Sequence, residues 1–325
     1  MGRVSKQPSS SIGRGRLLRI GAAVAVLLAL AGYLAAQYAG GGKPAPRCVV
    51  VSAAGDGATY EFGVDQAVNA ATISAVGTSR GMPERAVTIA LATALQESGL
   101  RNIDFGDRDS LGLFQQRPSQ GWGTRKQIMD PAYSAGEFYK HLAKIPGYTQ
   151  LPLTDAAQRV QRSGFPQAYA KHEPDATLLA AALTGRAAAS LTCGVNAGSG
   201  SGDAERVRAA LVRDFGRDVL PRTGAVDDGK GGGAGAAGGD AGPAGPSHTV
   251  AVPVSAADRD GGVRRGWEVA QWAVAQSSVL HVERVAYAGR EWTGDDSGQK
   301  WRKVKARAEA DARDGTDEVL IVMAR

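Results

Sequence analysis

The longest apolar run in the sequence lies close to the N-terminus. Residues 20–36, IGAAVAVLLALAGYLAA, contain no charged side chain, and Leu17 and Leu18 lengthen the run at its start. A helix of about 20 apolar residues is long enough to cross a bilayer. The pattern therefore predicts a transmembrane signal anchor over residues 17–39.

The charges that flank this run predict an orientation. Five basic residues fall within the first nineteen positions, and no arginine follows the run until Arg47. By the positive-inside rule, the basic tail 1–16 is cytoplasmic and the rest of the chain is extracytoplasmic. The chain is thus predicted to be a single-pass protein of the cell membrane. A cleaved signal peptide is the alternative, although no small-x-small site ends the run.

Helical periodicity dominates the chain after a short spacer at 40–47. The apolar positions predict a mainly α fold for a first domain at 48–196, with a small strand and loop segment. Pro83, Pro131 and Pro174 lie near predicted helix starts, where a missing N–H is tolerated. The predicted helices of this domain are 64–78, 83–98, 131–144, 154–163 and 174–188.

Three further segments follow the first domain. An accessory helix is predicted within 197–221, and residues 222–250 form a Gly-rich linker that buries too little apolar surface to order itself. Residues 251–325 are predicted to form a small α+β module, with a helix at 266–280 and strands at 282–289 and 317–324. Its four tryptophans are interpreted as core residues or as a binding platform: Trp267, Trp272, Trp292 and Trp301.

Charge and cysteine content exclude several classes of function. The net charge is +6, but its excess sits in the N-terminal tail and no basic stripe carries interleaved aromatic residues, so nucleic acid is not a predicted partner. The four histidines are scattered, so neither a metal site nor a cofactor is predicted. Cys48 and Cys193 are the two cysteines, and an extracytoplasmic setting favours a disulfide between them over two buried thiols.

Glu97 is the candidate catalytic residue. It lies in the last turn of the helix predicted at 83–98, just beside the apolar face, and Gly99 follows as a stop signal. Partial burial and the negative end of the helix dipole both disfavour a carboxylate, so both raise its pKa. A protonated carboxyl group near neutral pH is what a general acid requires. The alternative is an ordinary polar residue in the last turn of a core helix.

The segment after Glu97 supplies groups suited to a sugar polymer. Glycine in DSLGLFQQR allows close approach to the backbone, the two glutamines hydrogen-bond hydroxyl and acetamide groups, and Trp122 offers a stacking face. These features predict one wall of a polysaccharide cleft.

QESG, followed thirteen residues after its serine by LGLFQQR, resembles the soluble lytic transglycosylase branch of the lysozyme-like superfamily. The resemblance covers about 48–195 and implies a lysozyme-like helical domain, with peptidoglycan glycan strands as the partner and protein partners unknown. It implies that Glu97 is the catalytic acid. The implied substrate-binding residues are Ser98, Ser110, Gly112, Leu113, Gln115, Gln116, Trp122 and Tyr169.

The resemblance implies cleavage of the β-1,4 bond between N-acetylmuramic acid and N-acetylglucosamine. In a transglycosylase the sugar's own hydroxyl closes a 1,6-anhydro ring, so no second carboxylate is needed, whereas a hydrolase uses one. Asp104, Asp107 and Asp109 lie close enough in sequence to supply it, but they are equally typical of a turn. A catalytically inactive, glycan-binding scaffold is the alternative function.

Overall fold

The N-terminal apolar run forms helix α1, Arg14–Ala39, whose side chains are exposed over residues 19–33. The computed structural model describes residues 14–39, 46–162, 166–195, 200–220, 248–254, 259–294, 300–304 and 318–325. Contacts between Cα atoms divide the chain into two compact units, Met1–Ala45 and Pro46–Arg325.

The first unit corrects the prediction of a membrane anchor. Across the residues that the structure describes, no helix combines the length and the apolar character that a bilayer crossing requires. The predicted transmembrane segment at 17–39 is therefore wrong. The prediction of a single-pass membrane protein with a cytoplasmic N-terminus depends on that segment and is not supported either.

The second unit begins with a small antiparallel sheet. Its strands are β1 (Arg47–Val51), β2 (Thr59–Gly63) and β3 (Leu191–Cys193), in the order β2-β1-β3. Cys48 pairs directly with Cys193 across β1 and β3, and an S–S bond of 2.05 Å joins them. The predicted disulfide is confirmed, and it ties the start of this unit to a segment 145 residues later.

Helix α3, Glu84–Ser98, is the central helix of the unit. Its residues from Ala86 to Leu95 are all buried, so it is surrounded by other elements rather than facing water on one side. It packs against α2, α5, α6 and α7. The other helices of the second unit are α2 (Val64–Ser79), α4 (Arg125–Ile128), α5 (Pro131–Leu142), α6 (Leu153–Gln161), α7 (Glu173–Leu183), α8 (Ala204–Phe215), α9 (Arg259–Ala275) and α10 (Ser277–Leu280).

A second antiparallel sheet is formed by the C-terminal part of the chain. Its order is β4-β8-β5-β6-β7. Burial alternates along β8, where Val319, Ile321 and Met323 face the core as the period of a half-buried strand requires. The strands are β4 (Thr249–Pro253), β5 (Val282–Tyr287), β6 (Arg290–Thr293), β7 (Arg302–Lys303) and β8 (Glu318–Met323).

These two sheets correct the predicted fold class. The chain combines many helices with two antiparallel sheets, so it is a mixed α+β protein rather than a mainly α one. Short strands at 47–51, 59–63 and 191–193 account for much of the difference within the first predicted domain. The greater part of the predicted linker, residues 222–247, lies outside the described residues.

Helix α9 joins the second sheet to the central helices. One face of α9 contacts β5 and β8, and the helix also contacts α2, α7 and β3. The side chain of Gln271 in α9 is fully buried and accepts from the backbone N–H groups of Ser190 and Leu191, both at 2.9 Å. Its amide nitrogen donates to the carbonyls of Ala182 and Ala187. Gln271 therefore binds the C-terminal elements to the α7–β3 connection.

A buried carboxylate adds a second connection. Asp214 in α8 accepts from Trp272 Nε1 at 2.8 Å and from Thr72 Oγ1 at 3.1 Å, and it pairs with Arg213. Helices α2, α8 and α9 thus meet at one charged but fully partnered group. The four tryptophans of the C-terminal part are all buried, with at most 8% of the surface of each exposed, and so they are core residues: Trp267, Trp272, Trp292 and Trp301.

Candidate functional site

Glu97 lies in the last full turn of α3, as the sequence predicts. Gly99 ends the helix in the left-handed conformation, with φ of 63°, and its N–H donates to Leu95. Glu97 is half-buried at this helix end. Its Oε1 atom accepts a hydrogen bond of 2.6 Å from the hydroxyl of Tyr169, which comes from the 3-10 helix Pro166–His172.

The surroundings of Glu97 favour its protonated form. Burial is the largest influence and raises the pKa of Glu97 above its ordinary value, because the carboxylate loses contact with water. Hydrogen bonds from Tyr169 and Gln161 act in the opposite direction and lower the pKa, but burial outweighs them. The net shift keeps a proton on the group to a higher pH than in water. That is the state a general acid needs before it reacts.

A tight hairpin at 111–116 stands beside Glu97. Leu111 and Gln116 exchange backbone hydrogen bonds of 2.9 and 3.0 Å, which closes the hairpin. The hydroxyl of Ser98 lies 2.8 Å from the carbonyl oxygen of Leu113, and Gln161 Nε2 donates to the carbonyl of Phe114 at 2.7 Å. The end of α3 and the end of α6 therefore both hold this hairpin next to the carboxyl group.

Gly112 allows the hairpin to approach its neighbours closely. Its φ is 72°, and its N–H donates to the carbonyl of Ile103 at 2.7 Å. A Cβ atom at this position would lie 2.8 Å from the carbonyl oxygen of Ile128. Glycine is therefore required here both by conformation and by space.

Several of the predicted substrate-binding side chains face the interior. Leu113 and Gln116 are exposed by 0% and 2%, and the Gln116 amide donates to the carbonyl of Ser134. Ser110 is also buried. Trp122 is buried against His141, with ring centroids 4.3 Å apart. These side chains shape the hairpin and its support from within.

The remaining predicted site residues lie around Glu97. Ser98 contacts the hairpin, and Tyr169 contacts the carboxyl group. Gln115 is half-buried and holds a left-handed φ of 47°. Its side-chain amide donates to the carbonyls of Phe105 and Gly112. The structure thus brings Glu97, Ser98, Leu113 and Tyr169 into one cluster, with Gln115 at its outer edge.

The acidic loop after Glu97 contains one carboxylate that is firmly bound. Asp109 pairs with Arg117 at 2.7 Å and accepts from the N–H of Ser119 at 2.9 Å. The hydrogen bond from Arg117 is the largest cause that holds the pKa of Asp109 well below its usual range. Asp109 therefore stays ionised and braces the loop. Asp104 and Asp107 are exposed to solvent.

Gln161 is a site residue that the sequence analysis did not single out. It ends helix α6 and bonds both to the Phe114 carbonyl and to Glu97. Its position 64 residues after Glu97 gives no local signal, because only the packing of α6 on α3 brings the two together. Nearby, His172 Nε2 lies 3.2 Å from Gln96 Oε1 and joins the same 3-10 helix to α3.

A cavity of about 650 Å³ lies at a different place, against the N-terminal end of α3. Charged residues line it, but they are paired. Arg264 pairs with Glu84 at 3.5 Å, and Arg265 pairs with Glu268 at 2.8 Å. Within the described part of the chain, no three His, Cys, Asp or Glu side chains are grouped so that they could hold a metal ion.

Comparison with known proteins gives one partial similarity. A family model described as VldE, C-terminal domain, matches residues 212–314, which is less than half of the chain. The match begins in α8 and includes α9, α10 and strands β4 to β7. No curated protein matches the chain. The similarity therefore concerns the C-terminal part and does not reach Glu97.

Proposed function

We propose that this protein cleaves glycan strands of the peptidoglycan type, with Glu97 as the single general acid and base. The observation that carries the proposal is the setting of Glu97. A half-buried carboxyl group with a raised pKa lies at a helix end, beside a hairpin held by Ser98 and Gln161. The resemblance of QESG and LGLFQQR to lytic transglycosylases supports the same reaction.

The chemistry follows from the protonation state. Glu97 donates its proton to the oxygen of the β-1,4 glycosidic bond, and the bond to the anomeric carbon breaks. The resulting carboxylate then accepts the proton of the hydroxyl group that attacks this carbon. When that hydroxyl belongs to the same sugar, a 1,6-anhydro ring forms and no water is consumed.

The state of Asp109 argues against this residue as the second acid of a hydrolase. Arg117 and Ser119 occupy both of its oxygens, so a role in placing water or attacking the sugar would first require those bonds to break. Tyr169 also contributes to the proposed reaction. Its hydroxyl donates to Glu97 and therefore stabilises the carboxylate between the two proton transfers.

The test compares the full chain with its Glu97→Gln variant on purified peptidoglycan, with the released fragments separated and weighed by mass spectrometry. Glutamine keeps the shape but cannot transfer the proton, so the rate is expected to fall by about 100-fold or more. Glu205→Gln, an exposed glutamate in α8, is the matched control and should keep full activity. Anhydro-sugar ends on the products would identify the transglycosylase reaction.

Two results would count against the proposal. Equal activity of the parent and Glu97→Gln would remove Glu97 from catalysis. Binding to peptidoglycan without release of any fragment would instead support the glycan-binding scaffold, and cosedimentation of the same samples measures that binding.

A further inference from the structure

Phe105 is the most exposed large hydrophobic side chain among the residues that the structure describes, with 69% of its surface accessible. It lies in the loop 104–108, whose other residues include Asp104, Asp107 and Arg108, and all five residues of the loop are exposed. A single exposed apolar residue is common on proteins and would need no explanation by itself. Phe105 differs from such a residue because hydrogen bonds hold the backbone on both sides of it.

The backbone that carries Phe105 is bound along its length. The carbonyl of Ile103 accepts from Gly112 N at 2.7 Å, and that of Asp104 accepts from Arg125 Nη2 at 2.7 Å. The carbonyl of Phe105 itself accepts from Gln115 Nε2 at 3.4 Å. After Phe105 in the chain, the carbonyl of Asp107 accepts from Ser110 N at 3.1 Å. The loop is therefore fixed in place although its side chains face solvent.

Gln115 connects this loop to the hairpin beside Glu97. A Cβ atom on Gly106 would lie 1.9 Å from Gln115 Oε1 and 2.8 Å from the backbone carbonyl oxygen of Ser110, so glycine at this position allows the two segments to approach each other closely. Phe114, the neighbour of Gln115, is bonded to Gln161, which in turn bonds to Glu97. Phe105 is thus attached through a short series of contacts to the hairpin beside the acid.

We propose that Phe105 is a stacking platform for a pyranose ring of an N-acetylated amino-sugar strand, at a subsite away from the cleaved bond. This inference rests on the proposed function and names a binding contact of that same site. A phenyl ring has no polar group, so it recognises the apolar C–H face of a sugar by contact. Because the loop is already held in place, little conformational freedom is lost when the sugar binds.

The test measures binding of an N-acetylglucosamine hexamer to the full chain by calorimetry, in a Glu97→Gln background that prevents cleavage. Phe105→Ala and Phe105→Leu should each weaken binding by about 5- to 10-fold, as expected for loss of an aromatic contact. Phe105→Trp should bind at least as tightly as the parent. The leucine variant separates aromatic stacking from simple apolar contact, and Val279→Ala, in α10, is the control for an exposed apolar residue elsewhere.

Because Phe105 is exposed, its substitution should leave folding intact, and the melting temperature of each variant checks this directly. Binding by Phe105→Ala as tight as that of the parent would overturn the inference, and so would absence of hexamer binding by the parent. Failure of the proposed function appears differently. In that case Glu97→Gln leaves the release of peptidoglycan fragments unchanged, whatever Phe105 does to binding.

Discussion

Tyr169 donates a hydrogen bond of 2.6 Å to Glu97 although 72 residues separate them in the chain. Tyr169 is fully buried, while Glu97 is half-buried at the end of α3. The phenol thus reaches the carboxyl group from the inside of the protein. In the proposed function, the other side of the carboxyl group is the one that meets the substrate.

Substitution of Tyr169 by phenylalanine should raise the pKa of Glu97 further. The hydrogen bond that lowers the pKa is lost, whereas the burial that raises it remains. Since the general acid works in its protonated form, the loss of activity at alkaline pH should move to higher pH. A carbon-13 titration of the Glu97 carboxyl group measures the shift directly.

Tyr148→Phe is the control for this prediction, because Tyr148 is a partly buried tyrosine that does not influence the pKa of Glu97. A Tyr169→Phe variant with a lower pKa at Glu97 would contradict the account. The same shift has a consequence for stability. A carboxyl group with a raised folded pKa stabilises the native state at low pH, and this contribution is lost as the pH rises through the folded pKa.

Gly112→Ala should destabilise the protein and displace the hairpin. The left-handed φ of 72° costs about 1–2 kcal/mol for alanine. The contact with the Ile128 carbonyl adds about 1–3 kcal/mol. Urea unfolding and peptidoglycan cleavage should both be affected.

Gly147→Ala is a matched control, since Gly147 has φ of 64° but nothing within 4 Å of the added Cβ. It should show only the conformational cost and keep normal activity. Equal losses of stability in the two variants would show that the close approach of the hairpin at Gly112 contributes nothing.

Gln271→Met should lower the free energy of unfolding by about 3–5 kcal/mol, because it leaves buried donors and acceptors of the α7–β3 connection without partners. Methionine keeps a similar volume, so the loss reports hydrogen bonding rather than packing. Gln150→Met, at an exposed position, should change stability by less than about 0.5 kcal/mol. Tryptophan fluorescence, to which the four tryptophans of the C-terminal core contribute together with Trp122, and far-ultraviolet circular dichroism should follow one shared transition. Two separate transitions would contradict the prediction that the C-terminal elements and the central helices unfold together.

Reduction of the Cys48–Cys193 disulfide should lower the free energy of unfolding by about 4–5 kcal/mol in the chain-entropy account, because the bond closes a long loop. Guanidinium unfolding with and without a thiol reductant measures the difference. A double variant with serine at both positions should match the reduced protein and should not respond to the reductant. Unchanged stability on reduction would show that the network of strand and helix contacts holds the ends of this region without the bond.

Local signals predicted the helices well. Helix α3 ends at Ser98 before Gly99, and α5 begins at Pro131, as glycine and proline indicate. Strands β1 and β3 were missed because each has at most five residues, and their pairing depends on segments about 140 residues apart in the chain. Such pairing leaves little trace in a short window of sequence.

The sequence predicts the position of Glu97 on its helix better than it predicts which neighbouring side chains surround this residue. The helix-end position of Glu97 and the glycine of the hairpin are visible in the sequence. The burial of Gln116 and Trp122 is not, because an amide or an indole suits either a sugar or an interior partner. The attachment of the C-terminal elements to the first predicted domain depends on buried side chains such as Gln271, whose partners lie about 80 residues earlier.

Strand β8 follows all the other strands in sequence, yet it lies between β4 and β5 in the second sheet. A chain that is still being synthesised and lacks this strand presents two unpaired strand edges toward an empty central position. Such edges readily pair with other chains. The order of the strands therefore makes protection of the nascent chain important until residues 318–323 have emerged, and it makes a truncation there far more damaging than the loss of a peripheral strand such as β7.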